Sequence, residues 1–504
     1  MTNQRRAGTI LSYLYIVVNT LTVLLFQKIV IATLGESEYG LYQLAASIIN
    51  YMSVMDLGFN NGIVNYTAQY RATGRDGDVK KLHGMFKMIF YGIGAVAVLI
   101  GGFLTLNVEN LFSASMTAVE IQKSRVIMAV LTVNMGLTFA LSIYNAIIVA
   151  CERFVFARVL TIVRSLLNPL IMLPLLLFGG DSITMVIVLS GVNVFCLLVN
   201  LFYTRYKLGI RVKYSGFDKK IFREIFSYSI FIFIAEIVDK VNWSLDQIIL
   251  GVVSGTKQVA VYSVASTYNQ LVTQLSGCVS GVMLPKVAAM VATGAGDKKL
   301  NELFIKASRI QLYTVLLIIS GFALFGQSFV LWHAGEECSM AYYVALILMG
   351  GAMIPITQSV AIVIIKAKNK FKFRALLLLA MAGVNVAISI PLAMAFGSVG
   401  SALVTAAALL FANVVLINIY YQKKCGINII AYWKTFFSML LGFVPAIAVS
   451  VALKVFLPIY GIAEVFVYGP LYVAMFAFSA YFAVMNDYEK GLTKKYLSKL
   501  LRFV

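Results

Sequence analysis

The chain has 504 residues, 61% of them hydrophobic and 12% charged, with a formal net charge of +20 at pH 7 and a mean hydropathy of +0.88. A soluble chain of this length could not bury so much apolar surface, so the composition describes a polytopic membrane protein with one continuous membrane domain. The excess of Lys and Arg suits flanks that orient spans against an anionic inner leaflet, and no nucleic-acid partner is needed to explain it. Five scattered cysteines (Cys151, Cys196, Cys278, Cys338, Cys425) show no C-x-x-C spacing, so neither a disulfide framework nor a metal site is indicated.

Apolar runs of about 20 residues predict fourteen spans, near 9–32, 40–65, 85–106, 125–149, 158–178, 183–203, 226–252, 259–288, 309–331, 341–365, 374–396, 400–421, 435–456 and 465–485. The first run is too long for the core of a signal peptide and no small-residue cleavage site follows it, so it reads as a retained span. Loop charge alternates along the chain. The N-terminus, the loops after even-numbered spans and the C-terminal tail hold 33 of the 41 Lys and Arg. Loops after odd-numbered spans are short and acidic, with Glu36, Glu38, Glu109, Glu120, Asp181, Glu336, Glu337 and Glu464. A miscounted span would scramble this alternation, so both termini are expected in the cytoplasm. The tail NDYEKGLTKKYLSKLLRFV is basic and amphipathic, suited to lie along the inner leaflet as an anchor.

Polar residues concentrate in particular spans. Span 1 carries Asn19, Gln27 and Lys28; span 2 carries Gln43, Asn50, Asp56, Asn60, Asn61 and Asn65. Asp56 opens an Asp-Leu-Gly sequence. It suits either a cap or bend in the span, or a buried carboxylate that couples transport to protons or sodium. Arg164 falls about two turns into span 5. Span 7 holds Glu236, Asp239, Lys240 and Asp246 inside its apolar stretch, and each ion at the centre of a spanning helix costs roughly 2.5–3.5 kcal/mol. Residues 236, 239, 243 and 246 step by three or four and share a face. Glu236, Asp239, Trp243 and Asp246 therefore form one polar stripe, with Lys240 beside it. Such a stripe lines a water-filled cavity or pairs with neighbouring protein. Glu236 and Asp239 join Asp56 as candidates for ion coupling. Asp246, near the outer end, has a structural alternative.

Four cations are candidates for holding an anionic head group: Lys240, Arg164, Lys286 and Lys28. Each has a plainer alternative. Lys240 is placed to pair with Glu236 four residues earlier. Arg164 and Lys286 suit anchoring at the inner edge, and Lys28 can snorkel outward. Trp243 is the leading candidate to stack on a sugar, with packing inside the bundle as its alternative. Tyr262, Asn242 and Gln247 complete the expected cavity lining. Pro169, Pro174, Pro285, Pro355 and Pro391 lie within spans and allow them to flex.

Two regions look alike. Gly35, Tyr42 and Ala45 recur as Gly255, Tyr262 and Ala265, at an offset of 220 residues. Each set follows an odd-numbered span that starts on the same side, so the repeat is parallel, about an axis along the membrane normal. The expected organisation is a six-helix lobe over 1–203, a linker over 204–225, a second lobe over 226–421, two further spans over 422–485 and a tail over 486–504. Lobes of this kind rock around a midplane site, which is alternating access.

Several function classes are disfavoured. A membrane enzyme that polymerises sugars often carries a large external loop, and none is present. The two histidines, His83 and His333, have no partner at ligand or triad spacing, and no G-x-x-x-x-G-K-[ST] sequence exists to bind a nucleotide phosphate. No catalytic residue, cofactor or metal is expected.

The sequences LGESEYGLY after span 1, DLGFNNGIVNY (Asp56 to Tyr66) in span 2 and DQIILGVVSGTKQVAVYSVA (Asp246 to Ala265) resemble the Wzx-type polysaccharide or O-antigen flippases of the multidrug/oligosaccharidyl-lipid/polysaccharide superfamily. The resemblance implies an all-α, MATE-like fold of fourteen transmembrane helices, two six-helix lobes and two C-terminal helices. It implies transfer of an undecaprenyl-pyrophosphate-linked oligosaccharide from the inner to the outer leaflet of the bacterial cytoplasmic membrane. Its implied partners are that substrate, membrane lipids, a coupling H+ or Na+ and the polysaccharide polymerase and chain-length machinery. The pyrophosphate needs cations where water is scarce. Two alternatives share the superfamily: a cation-coupled multidrug antiporter, which typically has twelve spans and takes cationic substrates, and a flippase for the lipid-linked peptidoglycan precursor.

Overall fold

The computed structural model describes residues 2–72, 74–113, 115–214, 216–292, 296–368, 370–456, 461–487 and 489–491, with most of their side chains. Among the described residues there is no strand. The helices are α1 (Thr2–Met52), α2 (Phe59–Ala72), α3 (Asp76–Leu106), α4 (Val108–Phe112), α5 (Ala118–Ala150), α6 (Phe154–Leu177), α7 (Ser182–Phe202), α8 (Lys219–Val253), α9 (Thr256–Ala292), α10 (Asp297–Ala334), α11 (Ala341–Thr357), α12 (Ser359–Ala367), α13 (Phe371–Leu410), α14 (Asn418–Tyr420), α15 (Ile429–Phe456) and α16 (Ile462–Ser479). Wider π-helical turns occupy Tyr203–Lys207, Phe411–Ile417, Tyr421–Cys425 and Ala480–Val484.

Among the described residues, nine helical runs are long and apolar enough to cross a membrane, and α11 with α12, bent by 41°, makes a tenth if taken as one span. The protein is therefore a multi-pass membrane protein. Lipid offers no water to backbone groups, which is why the apolar runs fold as helices. The side chains agree: Leu99, Phe103 and Leu106 of α3 are 72%, 66% and 77% exposed, as suits a lipid-facing stripe.

Local chemistry sets the breaks. At Gly35 (φ 80°, ψ 172°) the run of α1 turns, and at Gly397 (φ 57°, ψ −137°) that of α13 does; positive φ of this kind is open to glycine at little cost. The expected second span is itself interrupted. Residues 53–56 tighten into a 3₁₀ turn, Leu57 and Gly58 take positive φ, and the helix restarts at Phe59. At α5, Thr117 and Glu120 form a reciprocal capping box. Asp181 caps α7 and Asp218 caps α8 through backbone amides.

Internal contacts divide the chain into two compact units, Met1–Ser263 with Val386–Ser401, and Val264–Asn385 with Ala402–Val504. In the first unit α2, α3, α5 and the start of α8 bury Phe59, Ile63, Phe86, Phe90, Ile143, Ile147 and Ile225 together. The rings of Phe59 and Phe86 meet edge-on at 5.1 Å. Because lipid is as apolar as these side chains, close packing rather than burial holds such helices together. The contact of α3 with α5 shows it: a Cβ on Gly94 would stand 2.9 Å from the carbonyl oxygen of Gly136. In the second unit Phe304, Leu312, Ile364, Tyr421, Tyr432, Phe443 and Phe476 form the core, with Phe443 stacked on Phe476 at 3.9 Å.

Candidate functional site

The polar stripe of α8 is helical from end to end, but the side chains of Glu236, Asp239, Lys240, Asn242 and Trp243 lie outside the described residues, as does that of Lys286 in α9. The outer part of the stripe is described. Asp246 is buried, and its two carboxylate oxygens accept hydrogen bonds from the Tyr262 hydroxyl at 2.5 Å and the Ser401 hydroxyl at 2.7 Å. One carboxylate thus ties α8 to α9 and α13. Tyr262 is 3% exposed and spends its hydroxyl on this bond. Beside it, Gln247 is half-buried and accepts the Ser47 hydroxyl, which links α8 to the second half of α1.

On α1, the Gln27 side-chain amide donates to the Tyr39 hydroxyl at 2.9 Å, and Gln43 donates to the same oxygen at 2.5 Å. Lys28, next to Gln27, is half-buried. Arg164 is exposed on α6, and no hydrogen bond or ion pair engages it among the described residues. Its neighbour Ser165 donates to the Asn19 side chain at 3.3 Å, so Arg164 sits where α6 meets α1. The structure thus brings Gln247 to the Tyr39–Gln43–Ser47 face of α1, and carries Arg164 on the adjacent α6.

Asp56 stands at the break before α2. One carboxylate oxygen accepts from the Gly58 amide at 2.6 Å and the other from the Asn60 side chain at 3.0 Å. The carboxylate therefore braces the turn that precedes α2. Among the described residues no group of three or more His, Cys, Asp or Glu could hold a metal ion.

A second polar cluster joins the acidic loop residues Glu36, Glu38, Glu120 and Asp181 to Ser37, Lys123, Thr256 and Lys257. Lys257 pairs with buried Glu36 at 2.6 Å. Glu120 accepts from Ser37 at 2.5 Å and from Thr256 at 2.7 Å, while the hydroxyls of Ser37 and Thr256 stand 3.2 Å apart. Alongside, Lys123 pairs with Glu38 at 2.6 Å and Asp181 at 3.3 Å. The signal in the sequence was the repeat around Gly35 and Gly255, which marks both turns.

The fold has solved relatives. The lipid II flippase MurJ, in an inward closed conformation, superposes with a TM-score of 0.72 at 15% identity, covering 94% of this chain and 97% of that one. An inward-facing multidrug resistance MATE family transporter of the MOP superfamily matches with a TM-score of 0.63 at 13% identity, over 81% of this chain and 96% of that one. The MATE multidrug transporter DinF-BH in complex with R6G matches at 0.54 and 17% identity, over 84% and 94%. No curated protein matches in sequence. The family model for polysaccharide biosynthesis proteins matches residues 6–291, more than half of the chain, and the chain belongs to that family.

Proposed function

We propose that the protein is a flippase that carries a lipid-linked oligosaccharide from the inner to the outer leaflet of the bacterial cytoplasmic membrane, for the assembly of a surface polysaccharide. The family match over residues 6–291 carries this reading. The shared fold with a lipid II flippase supports it. In this reading the chain has fourteen spans. The bent pair α11–α12 counts once, α1 divides at Gly35 and the run from α13 to Cys425 divides at Gly397, and α8 and α9 join the apolar runs. Two six-helix lobes, over 1–203 and 226–421, alternate access around a site lined by α1, α2, α8 and α9. Both termini face the cytoplasm, and no enzymatic step is involved.

Lys240, Arg164, Lys286 and Lys28 supply positive charge for the pyrophosphate, and Trp243, Asn242 and Gln247 serve the sugars, while Tyr262, expected from the sequence in the same lining, is buried against Asp246 instead. Glu236, Asp239 or Asp56 couples transport to protons or sodium. The exposed guanidinium of Arg164 supports the anion role, because a cation with no internal partner among the described residues is open to a ligand. The double variant Arg164→Ala/Lys240→Ala should lower export about tenfold, as losing roughly 1.4 kcal/mol of charge-assisted binding would, at unchanged protein level. In parallel, Glu236→Gln or Asp239→Asn should alter the dependence on the ion gradient. Full export in the first variant, or unchanged gradient dependence in both of the others, removes the respective assignment.

Gene deletion tests the reading as a whole. It should abolish surface polysaccharide and leave lipid-linked repeat units facing the cytoplasm; normal surface glycan in the deletion strain would sink it. A second reading, a flippase for the lipid-linked peptidoglycan precursor, draws on the likeness to the lipid II flippase. It predicts cell lysis on depletion, with surface polysaccharide assembly intact until then.

A further inference from the structure

The cluster around Glu36 and Lys257 has an internal symmetry. The repeat places Glu36 in correspondence with Thr256, and Ser37 with Lys257, at the offset of 220 residues. Exchange of the two halves therefore converts a contact between residues 36 and 257 into one between 256 and 37. Both contacts exist: Glu36 with Lys257 at 2.6 Å and Ser37 with Thr256 at 3.2 Å. Each turn opens on a glycine of nearly equal φ, 80° at Gly35 and 85° at Gly255. The two turns therefore meet head to head about a local pseudo-twofold axis, the arrangement in which one patch is used twice. A single carboxylate, Glu120 of α5, accepts a hydroxyl from each half. The approach is close: a Cβ on Gly40 would fall 1.9 Å from the carbonyl oxygen of Thr256.

Three properties suit a contact that opens and closes. It is made of hydrogen bonds and one ion pair rather than interlocked apolar side chains. Lys257 is 68% exposed, so water can take over its hydrogen bonds. Both turns hang on glycines with positive φ, positions that absorb a change of direction.

Resting on the flippase reading and on the loop-charge orientation, we infer that Glu36, Ser37, Thr256 and Lys257, seated on Glu120, form a latch. It closes the path on the non-cytoplasmic side and must separate for the lipid-linked substrate to leave. The latch is a device built into the duplicated turns.

The Ser37 and Thr256 hydroxyls are close enough that thiols in their place could bridge. In a chain whose five native cysteines are changed to serine, Ser37→Cys/Thr256→Cys should cross-link under oxidant. Export should then fall about tenfold or more and return on reduction, as for a transporter whose turnover needs the latch to part. A fully cross-linked chain that exports like its reduced form overturns the latch. Glu36→Lys should impair export and Glu36→Lys/Lys257→Glu should restore it; a swap as poor as the single change overturns the pairing. An outcome independent of export separates this inference from the flippase reading. A membrane-impermeant maleimide should label Ser37→Cys slowly from outside in intact cells, and faster when Lys257→Ala breaks the pair with Glu36 and loosens the latch. Equal labelling in both overturns the latch even if deletion upholds the flippase, and normal glycan in the deletion strain overturns the flippase even if labelling upholds the latch.

Discussion

Asp246→Leu should lower the stability of the folded protein by about 2–6 kcal/mol, because it removes the acceptor of two buried hydroxyls at about 1–3 kcal/mol each. Ser401 is 0% exposed and Tyr262 3%, so water cannot replace the lost acceptor. The effect should spread, since the carboxylate joins α8, α9 and α13 inside one compact unit. Asp246→Asn keeps an acceptor oxygen for one of the two hydroxyls and should fall between wild type and the leucine variant. Thermal unfolding in detergent checks this, read at one scan rate because unfolding of such a protein is governed by a rate. A leucine variant that unfolds with the wild type would show that the hydroxyls find other acceptors and that Asp246 does not hold these helices.

The second large effect is expected at the end of the chain. Arg309 of α10 donates to both carboxylate oxygens of Glu489, at 2.6 and 2.7 Å, and to the carbonyl of Val484 at 2.8 Å. Tyr313 donates to the same carboxylate at 3.1 Å. The pair is 14% and 13% exposed, so Arg309→Met leaves a largely buried charge and should cost about 3 kcal/mol. Arg309→Met/Glu489→Gln removes both charges and should be milder than the single change. A double variant as unstable as Arg309→Met would show that packing, not charge, is at stake. Burial pushes the Glu489 carboxyl up, but hydrogen bonds from Arg309, from the Asn486 amide and from Tyr313, with the charge of Arg309, outweigh it and hold the carboxyl below its ordinary value. The folded state thus binds this proton less readily than the unfolded chain. The contribution is full above the ordinary carboxylate range and is lost as pH falls through the lowered value. Acid titration of the wild type should therefore lose stability there, and Arg309→Met should lose less.

The helices were legible because lipid leaves apolar runs one way to satisfy their backbone. Their ends were less so. The polar start of α10, through Lys298, Lys299, Glu302 and Lys306, lies well before its apolar run and continues the same helix. The break at Asp56 was readable as an Asp-Leu-Gly turn, and the duplicated turns as a repeated glycine. What the sequence could not convey was partnership across distance. Ser401 is 155 residues from the carboxylate it meets, and a lone serine in an apolar span carries no mark of it. Glu120 likewise read as an acidic loop residue, since its role comes from Ser37 and Thr256 arriving from two separate turns.

The π-helical turns bear on how chain length can vary. Arg374 is buried, and one of its guanidinium nitrogens reaches both Asn413 and Tyr421, each at 3.1 Å. Eight steps of ideal α-helix would leave those two residues about 80° apart around the axis. The turns at Phe411–Ile417 take up most of the path, and wide turns of about 4.4 residues bring the two to within about 10° of each other. A chain one residue shorter between them, wound as plain α-helix, would set the same pair about 20° apart. The wide stretch thus stores one residue of slack, and an indel of that size can be absorbed there while the guanidinium keeps both of its partners.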